Sequence, residues 1–138
     1  MKVKGFTLIE LLMIVVIIGI LVLIAIPTYF SSAEKAKGAA ARSVLDNLRK
    51  AELQYRAIND IFVDDSGAFS NLEAFDIPAI LVNNSGDDGD WQYDCSGAGV
   101  DSVLCTATRN GTAPTAYQGQ TITMDQDGNL AYSHAVYQ

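Results

Sequence analysis

The residues with chemistry to offer are few and widely spaced. Asp87, Asp88, Asp90 and Asp94 lie close together, and Asp125, Asp127 and Asn129 alternate with single residues. Oxygen ligands at such spacing suit Ca²⁺, a hard cation that takes about six to eight of them. The second set lacks the bidentate Glu that completes an EF-hand loop. It reads equally as a polar hairpin turn, and the first set as a solvated loop. No metal is assigned, and Asp125, Asp127 and Asn129 are kept only as calcium candidates. His134 is the single histidine. With no Ser or Cys motif around it, it reads as a hydrogen-bonded strand histidine rather than a general base. No catalytic cluster emerges, so the chain is expected not to be an enzyme and to need no cofactor.

The most demanding residue is Glu10. Behind it, Leu11 to Ile26 are sixteen residues without a charge, interrupted only by Gly19. At 1.5 Å per residue that run makes about 24 Å of helix, and Phe6 to Phe30 about 37 Å. A bilayer's hydrocarbon core is about 30 Å thick, so the longer span crosses it. A lone carboxylate inside lipid costs about 2.5–3.5 kcal/mol at a helix centre and less near the interface. Glu10 therefore calls for a partner, for a position near headgroups, or for a role in capping its own helix start.

The string Gly5-Phe6-Thr7-Leu8-Ile9-Glu10-Leu11-Leu12, with Pro27 near the far end of the run, resembles the class III signal of type IV prepilins and type II secretion pseudopilins. That resemblance covers about residues 1–30. It implies a leader over residues 1–5, cut between Gly5 and Phe6 by a membrane prepilin peptidase, and N-methylation of the new terminus at Phe6. It also implies that Glu10 pairs with the Phe6 amine of a neighbouring subunit in a filament. Such a pair neutralises charge where the dielectric is low and sets axial register. Pro27 removes a helical hydrogen bond and clashes with the Leu23 carbonyl, and Gly19 adds backbone freedom. Both are read as assembly positions where the helix bends or, by the resemblance, partly unwinds.

Charge is unevenly spread. The chain carries a net −7. From Ala57 onward twelve acids face one cation, Arg109, whereas Lys35, Lys37, Arg42, Arg49, Lys50 and Arg56 fall earlier. An acidic C-terminal region argues against a broad nucleic-acid footprint. Lys2 and Lys4 before the apolar run predict a cytoplasmic N-terminus and an exported remainder. The rival is a cleaved secretory signal, but the run is longer than such signals carry and a polar helix continues beyond it. Export permits oxidation, and Cys95 and Cys105 are read as a structural disulfide stabilising by about 2.5–3 kcal/mol. Free thiols or half a metal site are the alternatives, with one His and no CxxC to support the latter.

The elements that must position these residues follow from periodicity. One helix is expected from about Phe6 to Asn59, apolar all round in residues 6–30 and amphipathic in residues 31–59. Its stripe is Val44, Leu48, Ala51, Tyr55, Ile58 and Phe62. Asp46 with Lys50, and Glu34 with Lys37, are expected surface pairs. Residues 60–138 form the remaining globular region. Asp60 to Asp90 is a connector in which Ile77 to Val82 is a short strand or a surface-covering segment. Strands are expected from Trp91 through Cys95 and over Val103–Arg109, Gln120–Met124 and Leu130–Tyr137. Turns at Ser96-Gly97-Ala98-Gly99, Asn110-Gly111 and Asp127-Gly128-Asn129 separate them. The fold class is α+β: a long N-terminal helix packed on a small antiparallel sheet of three or four strands, which the resemblance implies is the pilin fold.

The resemblance implies a structural subunit of a type IV pilus. It would wait in the inner membrane and then polymerise into a homo-oligomeric helical filament on the cell surface for adhesion, motility or DNA uptake. The implied partners are the prepilin peptidase, an assembly platform and a motor ATPase. The alternatives are a type II secretion pseudopilin, a minor adhesive or DNA-uptake pilin, and a membrane-anchored enzyme.

Overall fold

A computed structural model of the chain describes residues 5–63, 69–97 and 101–138. The expected leader residues Met1 to Lys4, part of the connector, and Ala98 and Gly99 of the expected turn lie outside the described residues. Helix α1 spans Leu8–Asn59, a 3₁₀ turn Glu73–Phe75 and a short helix α2 Ala79–Asn83. Strands β1 (Trp91–Gly97), β2 (Val103–Arg109), β3 (Thr121–Asp125) and β4 (Leu130–Tyr132) follow, and a 3₁₀ turn Ala135–Tyr137 closes the chain. The chain divides into two compact units, Met1–Glu34 and Lys35–Gln138.

In the first unit, every residue from Gly5 to Phe30 is exposed. The segment is long and apolar enough to cross a membrane. Pro27 lies inside the helix, and Thr28 Oγ1 donates to the Ile24 carbonyl at 3.4 Å.

In the second unit the sheet is a four-stranded antiparallel meander in the order β1-β2-β3-β4. Alternation decides its faces: Trp91, Tyr93 and Cys95 of β1, Val103, Cys105 and Ala107 of β2, and Ile122 and Met124 of β3 are buried. They join Ala41, Leu45, Leu48 and Ala51 of α1 in one core. This is the α+β arrangement the pattern predicts, a long N-terminal helix with a four-stranded antiparallel sheet.

The buried face of α1 is rotated from the expected stripe. Val44 and Tyr55 sit at its margin, Ile58 is 71% exposed, and Phe62 is buried beyond the end of the helix. Glu52 takes the place in the core that an apolar count gave to others. Its Oε2 accepts the Val63 N–H at 3.1 Å, so a buried carboxylate secures the chain after the helix, where a backbone donor would otherwise lack a partner.

Four further boundaries differ, the first at β1, which runs on through Ser96 and Gly97 where a turn was expected. Ile77 to Val82 is not a strand: α2 starts behind Pro78, with φ −57°, and Ile77 and Leu81 are both buried. Proline's fixed φ presets the backbone just ahead of Ala79, and within α2 it is Leu81 that turns to the core. β3 begins at Thr121 and ends at Asp125. β4 ends at Tyr132 because Val136 and Tyr137, adjacent in sequence, are both buried; a strand would send one of them to each face. Finally, Asp46 pairs with Lys50 at 2.6 Å as expected, but Lys37 turns to Asp90, also at 2.6 Å.

Candidate functional site

The first turn of α1 organises Glu10. Thr7 precedes the helix; its backbone N–H and its hydroxyl both donate to Glu10 Oε2, at 2.8 and 2.7 Å. The Glu10 N–H returns to Thr7 Oγ1 at 3.4 Å. This is a capping box, in which a Thr and a Glu three residues on satisfy each other's backbone donors at a helix start. Of the three readings open for Glu10 in the sequence, a single chain displays the capping one. The Thr-x-x-Glu spacing at Thr7 and Glu10 was the signal that could have shown it.

Gly5 and Phe6 lie ahead of the helix, and Phe6 is 80% exposed. A Cβ on Gly19 would meet nothing within 4 Å, so among the described residues no contact accounts for a glycine there. From Leu8 to Ile26 the surface is Leu, Ile, Val, Met and Ala apart from Glu10 and Gly19. Such a surface wants lipid or other helices around it, not water.

The second unit uses its acids to build loops. Asp88 Oδ1 accepts the N–H groups of Asp90 and Trp91 at 2.9 and 2.7 Å, and Asp88 Oδ2 accepts the Tyr93 hydroxyl at 2.8 Å. Burial pushes the Tyr93 phenol up, and its bond to Asp88 pushes it further. Asp87 Oδ1 accepts from Gly89 N–H and Asn110 Nδ2, at 2.7 and 2.8 Å. Asp94 stands opposite Thr106 across the β1–β2 pair.

Asp90 joins two cations. Lys37 Nζ lies 2.6 Å from Asp90 Oδ1. The buried Arg109 guanidinium lies 3.1 Å from the same oxygen and also donates to the Asp90 carbonyl. Burial alone would raise the Asp90 carboxyl, but Lys37 and Arg109 together hold it below its ordinary value. Arg109 also faces the Trp91 ring, 5.5 Å from its centre. The one cation of the C-terminal region is thus an internal tie.

Asp125 closes the β3–β4 hairpin. Its Oδ1 accepts the N–H groups of Asp127 and Asn129 at 3.0 and 2.8 Å, and its Oδ2 accepts Asn129 Nδ2 at 2.8 Å. The Asn129 side-chain bond, followed by its backbone bond, lowers the Asp125 carboxyl. Of the calcium candidates, Asp125 and Asn129 therefore bond to each other. Among the described residues, no group of three His, Cys, Asp or Glu is placed to hold a metal.

Cys95 and Cys105 are directly opposed across β1 and β2 and joined as a disulfide, with Cα atoms 4.1 Å apart. His134 lies just past β4, where its Nδ1 accepts the Val136 N–H at 3.1 Å and starts the closing 3₁₀ turn. Tyr117 and Tyr137 flank its ring at 5.3 and 6.1 Å.

Comparison with known proteins finds likeness over the N-terminal segment and beyond it. Residues 1–26 match the prokaryotic N-terminal methylation motif. The chain is similar to a type IV wide pilus major component of Thermus thermophilus, at 32% identity over 55% of this chain and 58% of the relative. It is similar to a type II secretion system core protein G of Escherichia coli, at 32% identity over 59% of this chain and 57% of the relative. It is also similar to a type IV narrow pilus major component of T. thermophilus, at 45% identity over 37% of this chain and 44% of the relative. The chain therefore spans less than two thirds of the length of these relatives. No solved structure is significantly similar.

Proposed function

We propose that this chain is a structural subunit of a type IV pilus that polymerises through the first half of α1. The observation that carries this reading is an apolar helical segment, Leu8 to Phe30, exposed at every residue, whose single charge is a self-capped carboxylate at its start. The similarity to pilus components supports it. Processing cuts between Gly5 and Phe6 and methylates the Phe6 amine. The subunit waits in the inner membrane, with Lys35–Gln138 outside. A prepilin peptidase, an assembly platform and a motor ATPase act on it, and the chain itself catalyses nothing.

In this reading the gain on assembly is helix packing and charge pairing, because lipid is already as apolar as the helices. Glu10 meets the Phe6 amine of a neighbour, while Gly19 and Pro27 let the helix adjust. Mass spectrometry of filaments sheared from cells tests the proposal. A dominant species beginning at methylated Phe6 is expected. Processed protein confined to the membrane would favour the second reading, a type II secretion pseudopilin, which the similarity to core protein G supports. An uncut Met1 would overturn both.

A further inference from the structure

We infer that Asn110 is a site of spontaneous modification: the Gly111 backbone nitrogen closes on the Asn110 side-chain amide, ammonia leaves, and water opens the resulting imide to aspartate or isoaspartate. A bond forms between Gly111 N and Asn110 Cγ, and the Cγ–Nδ2 bond breaks. In balance one water is taken up and one ammonia released, with nothing oxidised or reduced. The chain has three Asx–Gly steps, Asp88-Gly89, Asn110-Gly111 and Asp127-Gly128. The Gly89 N–H is held by Asp87 Oδ1 at 2.7 Å, and the Gly128 N–H by the Asp125 carbonyl at 3.0 Å. Among the described residues the Gly111 N–H has no hydrogen-bond partner. Gly111 is exposed, and a Cβ built on it would meet nothing within 4 Å. Its nitrogen is therefore open to lose a proton and attack, and the group beside it is an amide with ammonia to expel.

Conversion cuts a tie between two loops. Asn110 follows β2, and its Nδ2 donates to Asp87 Oδ1, ahead of β1, at 2.8 Å. An amide both donates and accepts, whereas an ionised carboxylate only accepts. Either product therefore sets two acceptors and two like charges together, in a region where twelve acids face one cation. Isoaspartate goes further, because it routes the backbone through the side chain and turns the Asn110 carbonyl into a free carboxylate. The Ala113 N–H, 3.1 Å from that carbonyl oxygen, and the Asn110 N–H, 3.0 Å from the Asp90 carbonyl oxygen, then lose their geometry. Only water and base are needed, so the change does not depend on assembly.

The test incubates the full-length chain, folded in detergent, in H₂¹⁸O at mildly alkaline pH and follows its peptides by mass spectrometry. Asn110 is expected to convert first, taking up label as both aspartate and isoaspartate, while Asn84 and Asn129 keep their amides. The rate should rise with hydroxide, because the deprotonated nitrogen is the nucleophile. Gly111→Ala, for which the surroundings leave room, should slow conversion about tenfold, since a Cβ crowds the attacking nitrogen and narrows the freedom of its backbone. An intact Asn110 in the folded chain, earlier conversion of Asn84 or Asn129, or a Gly111→Ala chain that converts at the native rate would overturn the inference.

Asn110→Asp, which installs the aspartate product directly, reads the consequence. Amide exchange at Ala113 should rise about tenfold, the scale of one hydrogen bond to a charged group. Adding Asp87→Asn swaps donor and acceptor between the two loops and should return exchange to within about twofold of the native chain. Native exchange in Asn110→Asp, or no recovery in the double variant, would show that the bond to Asp87 is not what conversion breaks.

Discussion

The Tyr137 ring fills the space that a side chain on Gly38 would need: a Cβ built on Gly38 would lie 2.6 Å from Tyr137 Cδ1. Tyr137 cannot easily withdraw. Its ring packs edge-on against Trp91 at 5.1 Å, and it is 1% exposed. A glycine within α1 therefore admits the last aromatic residue of the chain to the core.

Gly38→Ala sets two effects against each other. Alanine favours a helix interior over glycine by about 1 kcal/mol. Overpacking a filled core costs about 1–3 kcal/mol, and the atom met here belongs to a rigid ring. Net destabilisation is expected, read as a lower thermal midpoint for the full chain in detergent. Adding Tyr137→Leu should shrink the penalty of the alanine; an unchanged penalty would show that the ring is not its cause.

Asp90 gives the second unit an acid-sensitive tie between Lys37 of α1 and Arg109 of β2. Its carboxyl is lowered in the folded chain. The stability it contributes is therefore complete above the ordinary Asp value, near 3.9, and is lost as pH falls through the lower folded value. The Asp90 side chain is 44% exposed, so screening limits the effect to about 1 kcal/mol. Asp90→Asn should lower stability at neutral pH and narrow its gap to the wild-type chain below about pH 4. Titrating the thermal midpoint of both chains tests this, and a gap that widens in acid would refute it.

How far these relations were legible depends on the distance between partners. Alternation from Trp91 to Cys95 and from Val103 to Arg109 exposed the strands, because a period of two is written locally. The opposition of Cys95 and Cys105 followed once those strands paired. Thr7 and Glu10 are three residues apart, so the capping of the helix start by Glu10 was among the readings its sequence allowed. Gly38 and Tyr137 lie at opposite ends of the second unit, so no local pattern marks their contact. Glu52 was hidden for another reason: a carboxylate counts as polar in any periodicity, and the Val63 N–H it accepts lies eleven residues on, beyond the helix. Lys37 preferred Asp90 for the same long-range reason.

The disulfide should outlast a reductant for as long as the fold does. Cys95 and Cys105 are both 0% exposed, and thiol–disulfide exchange needs a thiolate to reach a sulfur. Alkylation after mild reduction is expected to label neither cysteine in native full-length chain and both after denaturation. Cys95→Ala with Cys105→Ala should cost about 2–4 kcal/mol, because the bridge no longer restricts the unfolded chain. Rapid labelling in native conditions would mean that β1 and β2 separate readily.

Glu52 offers the sharpest separation of burial from bonding. Glu52→Gln keeps an acceptor for Val63 N–H and removes the charge, whereas Glu52→Leu keeps the volume and removes the acceptor. Leaving a buried backbone donor without a partner costs about 1–3 kcal/mol, and replacing a buried carboxylate by carbon recovers part of its desolvation. If the Val63 bond governs, Glu52→Leu loses stability and hydrogen exchange at Val63 accelerates, while Glu52→Gln stays close to the native chain. If desolvation governs, Glu52→Leu gains stability and Val63 exchange alone rises. Because the 3.1 Å bond is what holds the chain as it leaves α1, the first outcome is expected. Chemical denaturation paired with amide exchange at Val63 distinguishes the two.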